Sequence, residues 1–256
     1  MTKRPLILVT NDDGIIAPGI LKLVEVMKEL GDVVVVAPDK PQSGKSHAIT
    51  LDATLYLKKT SFGIAGVKSY ASSGTPADCV KIGLKEVLDR KPDLCVSGIN
   101  HGSNASVNMV YSGTLSAAVE AGIKGVPAIA FSLLDYDWNA NFKGLEKYVR
   151  KIAKNVLEKG LPDRVVLNVN FPKVSKESFK GIKIVRQSKS NWNENFDKRM
   201  NPMGKEYFWL TGVFENLDTS DDTDEFALKN NFISVTPVKI DFTAHEFMDK
   251  LRTWNL

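Results

Sequence analysis

The amino-terminal half of the chain alternates short apolar runs with helical stretches. Leu6 to Thr10 and Val33 to Ala37 are apolar runs of the length of buried parallel strands. Between them, Ile20 to Leu30 carries apolar residues at helical spacing. Leu94 to Val96 and Ala128 to Ser132 repeat the strand pattern. Strand, helix and strand with short connections are typical of right-handed βαβ units. This pattern predicts a Rossmann-like three-layer α/β/α core with a mainly parallel sheet.

The carboxyl-terminal part follows a different pattern. Short alternating stretches, among them Tyr207 to Val213 and Ile233 to Val238, stand between polar insertions. They are predicted to be hairpins or arms that extend from the core. Thr243 to Trp254 is predicted to form a terminal helix. We therefore expect a catalytic core over residues 1–180 and a carboxyl-terminal extension over residues 181–256.

Composition excludes several classes of protein. The 256 residues are 43% hydrophobic and 25% charged, which is unlike collagen, disordered low-complexity chains or disulfide scaffolds. A net charge of +4 is too small to favour a nucleic acid polymer as partner. No run approaches the ~20 apolar residues of a membrane span, so no membrane association is expected. Two cysteines and a short apolar start without a leader pattern predict a cytoplasmic protein.

Charge is nevertheless segregated within the second half. Lys173 to Lys205 holds nine basic and three acidic residues, whereas Glu215 to Glu225 holds six acidic residues and no basic one. Two interpretations stay open: solvated or mutually attracting surface segments, and a field that steers an anionic substrate.

Polar clusters follow three of the predicted strands. Asn11 to Gly14 follows the first strand, Pro38 to Ser46 the second, and Ser97 to Asn104 the strand that starts at Leu94. Ligands of open α/β sheets bind beyond the carboxyl ends of the strands. The three clusters are therefore predicted to meet in one functional site.

Two adjacent carboxylates form the first candidate for chemistry. Asp12 and Asp13 repel each other at the end of a buried strand, unless one of them takes a proton or a cation lies between them. Either carboxylate can also orient a water molecule or accept its proton, so both are candidate catalytic residues. A simple turn with a helix cap is the alternative interpretation of Asp-Asp-Gly.

A cation at this point needs further oxygen ligands. Ser43 and Asn100, in the second and third clusters, supply a hydroxyl and a carboxamide oxygen. With Asp12 and Asp13 they make a hard oxygen site for one divalent cation per subunit, Mg²⁺ or Mn²⁺ before Ca²⁺. Three histidines and two widely separated cysteines do not favour zinc.

The third cluster and the segment after it are candidates for phosphate binding. Ser112, Gly113 and Thr114 open an apolar helical stripe, so that Ser112 or Thr114 can cap the helix and its first N–H groups can bind an anion. Asn104, at the end of the third cluster, is predicted to contribute with them. An ordinary helix cap is the alternative.

Two histidines in or beside the clusters leave a further question open. His47 and His101 either serve local structure or donate a proton to a leaving oxygen.

Five motifs in order resemble the survival protein SurE family, which consists of metal-dependent 5'-nucleotidases. The resemblance extends to the stretch from Asn201 to Trp209 and so covers roughly the whole chain. The five motifs lie in Val9 to Gly14, Ala37 to Thr50, Ser73 to Val80, Ser97 to Asn104 and Tyr111 to Thr114.

The resemblance implies an activity and assigns roles to residues. Asp12, Asp13, Ser43 and Asn100 match the metal ligands of the family, and Ser112 to Thr114 lie where phosphate is expected. The implied reaction is hydrolysis of nucleoside 5'-monophosphates to nucleoside and phosphate. Some members of the family also hydrolyse 3'-nucleotides and short polyphosphate.

The family further implies a homodimer or homotetramer. Its members have a Rossmann-like fold and exchange a carboxyl-terminal hairpin arm, which here would lie within residues 181–256 and return to the core. One departure is Asn201, where the family pattern has Asp before the proline, and it concerns the arm. Lys45 and Ser46 also depart from the pattern and put access and base preference in question.

Three other classes of protein compete with this interpretation. A haloacid-dehalogenase-type phosphatase prefers Asp-x-Asp after the strand, whereas these carboxylates are adjacent. A nucleotide-binding regulatory module without catalysis stays open as an alternative. A dehydrogenase is disfavoured because no Gly-x-Gly-x-x-Gly follows the first strand.

Overall fold

The computed structural model of the protein describes residues 4–173 and 179–255. The strands are β1 (Leu6–Thr10), β2 (Asp32–Pro38), β3 (Leu57–Thr60), β4 (Lys68–Ser72), β5 (Leu94–His101), β6 (Ala128–Leu133), β7 (Val165–Phe171), β8 (Ile182–Ile184), β9 (Ser190–Met200), β10 (Glu206–Asn216) and β11 (Ile233–Lys239). The helices are α1 (Pro18–Leu30), α2 (Pro76–Ile82), α3 (Asn108–Tyr111), α4 (Gly113–Ile123), α5 (Glu146–Lys159), α6 (Asp224–Lys229) and α7 (His245–Arg252), and a π-helical turn at Gly83–Val87 continues α2.

One sheet organises the molecule, in the strand order β3-β4-β2-β1-β5-β6-β7-β11-β8. The six strands from β4 to β7 in this order are parallel, while β3 and β11 run antiparallel to their inner neighbours. Helices α1 and α5 pack on one face, and α2 and α4 on the other, each over its own apolar core. This architecture confirms the predicted Rossmann-like α/β/α fold.

The topology defines where the sheet can bind a ligand. From β1 the chain moves outward to β2 and β4, and then returns to the other side of β1 as β5. The two directions diverge between β1 and β5, which creates a crevice at the carboxyl ends of these strands. The predicted polar clusters begin at this switch point.

Strand β5 is longer than its apolar pattern predicts. It continues beyond Val96 to His101, and its register with β6 shifts between Ser97 and Asn100. Gly98 makes this irregularity feasible, since its φ is +127° and a Cβ there would lie 2.2 Å from the carbonyl oxygen of Phe131. The third polar cluster is therefore partly strand rather than a loop.

One prediction for the carboxyl-terminal part is wrong. Ile233 to Val238 does not belong to an arm, because β11 pairs antiparallel with β7 inside the main sheet and also carries β8. Ile233 and Val235 are buried there. An alternating pattern is common to hairpin strands and to strands with one buried face, so only the distant partner β7 distinguishes the two.

The predicted hairpin arm and terminal helix are both present. Strands β9 and β10 pair along eleven residues each as a separate two-stranded sheet. Asn201 closes the hairpin by accepting hydrogen bonds from the N–H groups of Met203 and Lys205, at 3.0 and 2.9 Å. A carboxylate would accept the same bonds, so asparagine at this position preserves the turn. In α7 none of the residues is buried.

The segregated charges meet beside the arm. Arg186 donates to Asp218 at 2.6 Å and to Asp222 at 2.9 Å. The guanidinium group holds the pKa of Asp218 well below its ordinary value, mainly through this hydrogen bond. At this point the basic and acidic runs attract each other.

Throughout residues 4–173 and 179–255, no helix combines the length and the apolar character that crossing a membrane requires.

The packing of α1 on β5 yields a prediction for stability. A Cβ at Gly19 would lie 1.9 Å from the carbonyl oxygen of Ile99. We expect Gly19→Ala to lower the free energy of unfolding by about 1–3 kcal/mol, because helix and strand must separate, and this outweighs the better helix propensity of alanine. Urea unfolding measures the change. Glu25→Ala on the solvent face of α1 is the control, and an equal effect of both variants would contradict this explanation.

Candidate active site

A cleft of about 190 Å³ opens beside the switch point of the sheet. It brings together residues that lie up to 180 positions apart in the chain, which line it as follows: Asp12, Ser43, Gly44, Asn100, His101, Gly102, Ser103, Asn104, Asn108, Tyr111, Ser112, Tyr136 and Trp192. Five of the eight predicted site residues are among them, namely Asp12, Ser43, Asn100, Asn104 and Ser112. The other three, Asp13, Gly113 and Thr114, stand directly behind this wall.

Asp12 is the most buried acid of the site. Its carboxylate accepts a hydrogen bond from the hydroxyl of Thr114. Gly113 allows the close approach, since a Cβ there would lie 2.9 Å from the Cβ of Asp12 and 3.1 Å from its Oδ2. Burial, and then the charge of Asp13, raise the pKa of Asp12 to about 7. A positive charge in the cleft would offset both effects.

Asp13 is not among the lining residues but contacts His101, which is. Its Oδ2 accepts a bond from the backbone N–H of His101 at 3.1 Å and lies 3.0 Å from the imidazole Nδ1. The imidazole itself stacks on Trp138, with ring centroids 5.8 Å apart, and meets the edge of Phe142 at 5.3 Å. His101 therefore fixes one oxygen of Asp13 in place. This aromatic support was not foreseen from the sequence.

Ser43 and Asn100 present neutral oxygens to the same cleft. The Nδ2 group of Asn100 donates to the carbonyl oxygen of Gly102 at 3.0 Å, which leaves its Oδ1 for a ligand. The segment that carries Ser43 is tied to the first cluster, because the N–H of Gln42 donates to the carbonyl oxygen of Asp12 at 2.7 Å. The carboxylate, hydroxyl and carboxamide oxygens form a donor set that suits a hard divalent cation.

Ser46 and His47 hold the second cluster against the helices. The hydroxyl of Ser46 donates to the carbonyl oxygen of Val110 at 2.6 Å. The Nε2 atom of His47 lies 3.0 Å from Glu120, which also binds Lys81 at 2.6 Å. Burial acts to raise the pKa of Glu120, but His47 and Lys81 outweigh it and lower that pKa. His47 is thus a structural residue outside the cleft, and His101 is the histidine that lines it.

The first turn of α4 forms one wall of the cleft. Ser112 caps the helix, since its hydroxyl accepts from the N–H of Leu115 at 3.0 Å. Helix amino termini carry free N–H groups and a partial positive charge, which attract anions. Asn104 also lines the cleft, where its Nδ2 group donates to Ser132 at 2.8 Å and its backbone N–H donates to Asn170 at 2.9 Å. Asn104 is therefore positioned by β6 and β7.

The carboxyl-terminal acidic run supplies a buried anchor for the site. Asp224 accepts bonds from the N–H groups of Ser106 at 2.7 Å and Ser188 at 2.9 Å. These bonds join the segment after β5 to the start of the arm. Sequence reasoning missed this role because Asp224 is one of six acids in a segment that otherwise reads as solvated surface.

Aromatic residues of the cleft were also missed. Tyr136 and Trp192 line it, although they lie far from the polar clusters in sequence. The only signal in the sequence is the concentration of all four tryptophans after residue 130. That signal does not say which of them reaches the site.

The fold and the cleft define a Rossmann-like α/β protein with an oxygen-rich site at the switch point of its sheet. Comparison with known proteins identifies the family. The model of the family described as "Survival protein SurE" matches residues 7–194. The chain belongs to the survival protein SurE family, which confirms the resemblance that the five motifs indicate.

The similarity to individual members extends along the whole chain. The chain is 63% identical to the 5'-nucleotidase SurE of Flavobacterium psychrophilum, over 99% of this chain and 98% of that protein. It is 62% identical to the 5'-nucleotidase SurE of Christiangramia forsetii, with the same coverage. Among solved structures, the SurE protein of Aquifex aeolicus matches with a TM-score of 0.83 and 40% identity, over 97% of this chain and 98% of that one.

Glu225, next to the anchor Asp224, yields a prediction for pH dependence. Burial, and then the charge of Asp224, raise its pKa from 4.5 to about 7. The folded protein therefore holds a proton that the unfolded chain releases, and stability falls as the pH rises from about 4.5 to about 7. We expect Glu225→Gln to stabilise the protein at pH 8 by about 1 kcal/mol, since water also screens this partly exposed carboxylate.

Urea unfolding at pH 4.5 and pH 8 measures this effect. At pH 4.5 the variant and the unmodified protein should unfold at nearly the same urea concentration. Glu158→Gln on the exposed face of α5 is the control and should change neither value. A gain of the same size at both pH values would contradict the role of ionisation.

Proposed function

We propose that this chain hydrolyses nucleoside 5'-monophosphates with one divalent cation held by Asp12, Asp13, Ser43 and Asn100. The chain is a 5'-nucleotidase, and hence a phosphatase, because its relatives with 63% and 62% identity over almost their whole length carry that activity in their names. The dependence on a cation, its ligands and the roles of single residues are our proposals. The observation that supports them is the Asp12 carboxylate beside the neutral oxygens of Ser43 and Asn100 in one cleft, with Asp13 next to it in the chain.

The residues fit a cation on chemical grounds. Asp12 is almost fully buried, and its only hydrogen bond from another side chain comes, within the described parts of the chain, from Thr114. This hydrogen bond and the backbone N–H groups of Asp12 and Thr114 offset the burial only in part, since the pKa of Asp12 is still raised. A buried carboxylate is costly unless a positive charge compensates it. Mg²⁺ and Mn²⁺ suit this donor set best, and Ca²⁺ is the third candidate. When bound, such a cation polarises a phosphate oxygen and lowers the pKa of a coordinated water.

The chain itself supplies orientation and charge stabilisation. The first turn of α4, with Ser112, Gly113 and Thr114, would bind the phosphate oxygens together with Asn104, while the hydroxyl of Thr114 stays bonded to Asp12. Asp12 or Asp13 orients the attacking water and accepts its proton. His101 restrains Asp13, so that its second oxygen keeps a constant direction. The terminal phosphates of 3'-nucleotides and short polyphosphate present the same oxygens, so we propose them as further substrates.

We also propose that the protein is a homodimer or homotetramer joined through its arm. The hairpin exposes large apolar side chains, among them Phe196 at 61%, Trp209 at 60% and Leu210 at 66%. Exposed apolar side chains on both faces of a hairpin are typical of interaction surfaces. The exposed helix α7 with Phe247 adds a second apolar surface near the chain end.

Both cysteines are free thiols, which supports a reducing compartment such as the cytoplasm.

Removal of the carboxylate tests the cation. We expect Asp12→Asn to lower kcat/KM for AMP by about a thousandfold, because the ligand and the activated water are lost together. The free energy of unfolding without added metal should stay equal or rise, since a buried charge is removed. Phosphate release and urea unfolding are the measurements.

The same experiment includes a matched control and a metal series. Asp163→Asn changes an exposed acid just before β7, outside all the polar clusters, and should keep full activity. EDTA should abolish phosphate release, and Mg²⁺, Mn²⁺ or Ca²⁺ should restore it, with calorimetry showing one cation per chain. Hydrolysis that survives EDTA contradicts the metal mechanism. Binding of AMP without turnover in any of the three cations would support the regulatory module instead.

Light scattering tests the assembly. We expect a molar mass of at least twice the 28.2 kDa of the chain. Replacing Phe196 and Trp209 by lysine should lower this mass, because charged side chains disfavour burial of the arm. Lys198→Gln on the same hairpin is the control. A monomeric unmodified protein would refute the proposed oligomer.

A further inference from the structure

The cleft of the active site has two chemically different kinds of lining. Asp12 and Ser112 are polar, and phosphate is proposed to bind beside them. Tyr136 and Trp192 add two aromatic rings to the lining of the same cleft. A nucleoside monophosphate has the same division, since it joins an anionic phosphate to a flat aromatic base. The proposed phosphate chemistry does not use these two rings, so their presence calls for another explanation.

Trp192 is held in place although it belongs to the exposed arm. It is the third residue of β9, and its indole Nε1 donates to Asn108 Oδ1 at 2.8 Å. Its ring packs against the edge of Phe214 on β10, with centroids 5.6 Å apart. Asn108 begins α3, which leads directly to the cap residue Ser112. The hydrogen bond therefore connects the arm to the segment that leads to Ser112.

Tyr136 is exposed to 74% but its position is defined on one side. A Cβ at Gly102 would lie 2.4 Å from the Cε1 atom of Tyr136, so the ring lies directly on the backbone of this glycine. Gly102 follows β5 and accepts the hydrogen bond of the ligand residue Asn100. The tyrosine ring is thus supported by the segment that carries the site, while most of its surface faces solvent.

The base of the arm is anchored close to these residues. The hydroxyls of Ser106 and Ser190 are hydrogen-bonded to each other, and Asp224 ties Ser106 and Ser188 together. Ser190 is two residues before Trp192. This network places the start of β9 at the mouth of the cleft, so that the position of Trp192 follows from contacts within the chain.

We propose that Trp192 and Tyr136 form a stacking site for the nucleobase, and that the arm thereby contributes to substrate selection. The proposal rests on the 5'-nucleotidase function. Aromatic rings bind any base through its π-face, so the site recognises a nucleotide as opposed to a simple phosphate ester without fixing which base it carries. Stacking on these rings strengthens the binding of the nucleotide. The residues proposed for the phosphate chemistry are different ones.

The test compares AMP with ribose 5-phosphate, which has the same phosphate and sugar but no base. We expect the unmodified enzyme to prefer AMP in kcat/KM. Trp192→Ala should reduce this preference by about tenfold, mainly through a higher KM for AMP. Trp192→Phe should keep most of the preference, because the ring remains while the bond to Asn108 is lost. Tyr136→Ala and Tyr136→Phe should behave in the same way as this pair.

Trp209→Ala is the matched control. Trp209 lies on β10 of the same arm and does not line the cleft. Trp209→Ala should leave the preference for AMP unchanged. In light scattering, Trp192→Ala should have the same molar mass as the unmodified protein. An equal loss of preference in both tryptophan variants would mean that the arm acts through assembly, and would overturn the stacking site.

Two further outcomes separate this proposal from the function on which it rests. If the unmodified enzyme hydrolyses AMP and ribose 5-phosphate equally well, or if Trp192→Ala keeps the full preference, the stacking site is wrong and the nucleotidase stands. If neither compound releases phosphate in the presence of Mg²⁺ or Mn²⁺, the nucleotidase function itself fails.

Discussion

The burial of the Asp12 carboxylate at the end of the central strand is the constraint on which the site depends. A charge in this position is unfavourable by itself, and its neighbour Asp13 makes it more so. The surrounding structure compensates only in part, through the hydroxyl of Thr114 and the close approach that Gly113 permits. In the mechanism proposed above, a bound cation would offset both the unfavourable burial of the carboxylate and the repulsion between the two acids.

Much of the nearby architecture keeps this arrangement rigid. Gly19 lets α1 pack directly on the irregular part of β5, and Gly98 allows the irregularity itself. His101 restrains Asp13, and aromatic rings in turn restrain His101. These contacts also make the site rigid. Reaction geometry in phosphate hydrolysis is sensitive to small displacements, so close-packed supports of this kind are functionally important.

The arm combines two structural features in one element. It exposes large apolar side chains, whereas Trp192 near its start lines the cleft. Asp224 and the serine pair join the base of the arm to the segment after β5. If the proposed assembly and the proposed stacking site are both correct, these contacts would couple them physically.

The layered α/β class could be predicted from the sequence alone, because apolar periodicity reports burial locally. Both carboxylates, Ser43 and Asn100 could also be singled out, because polar residues after buried strands are conspicuous. The sequence did not determine that Ile233 to Val238 joins the main sheet, that His47 serves structure, or that Trp192 reaches the cleft. Each of these depends on a partner far away in the chain: β7, Glu120 and Asn108. Local patterns encode burial and turns, whereas the choice of partner is decided only when the whole chain packs.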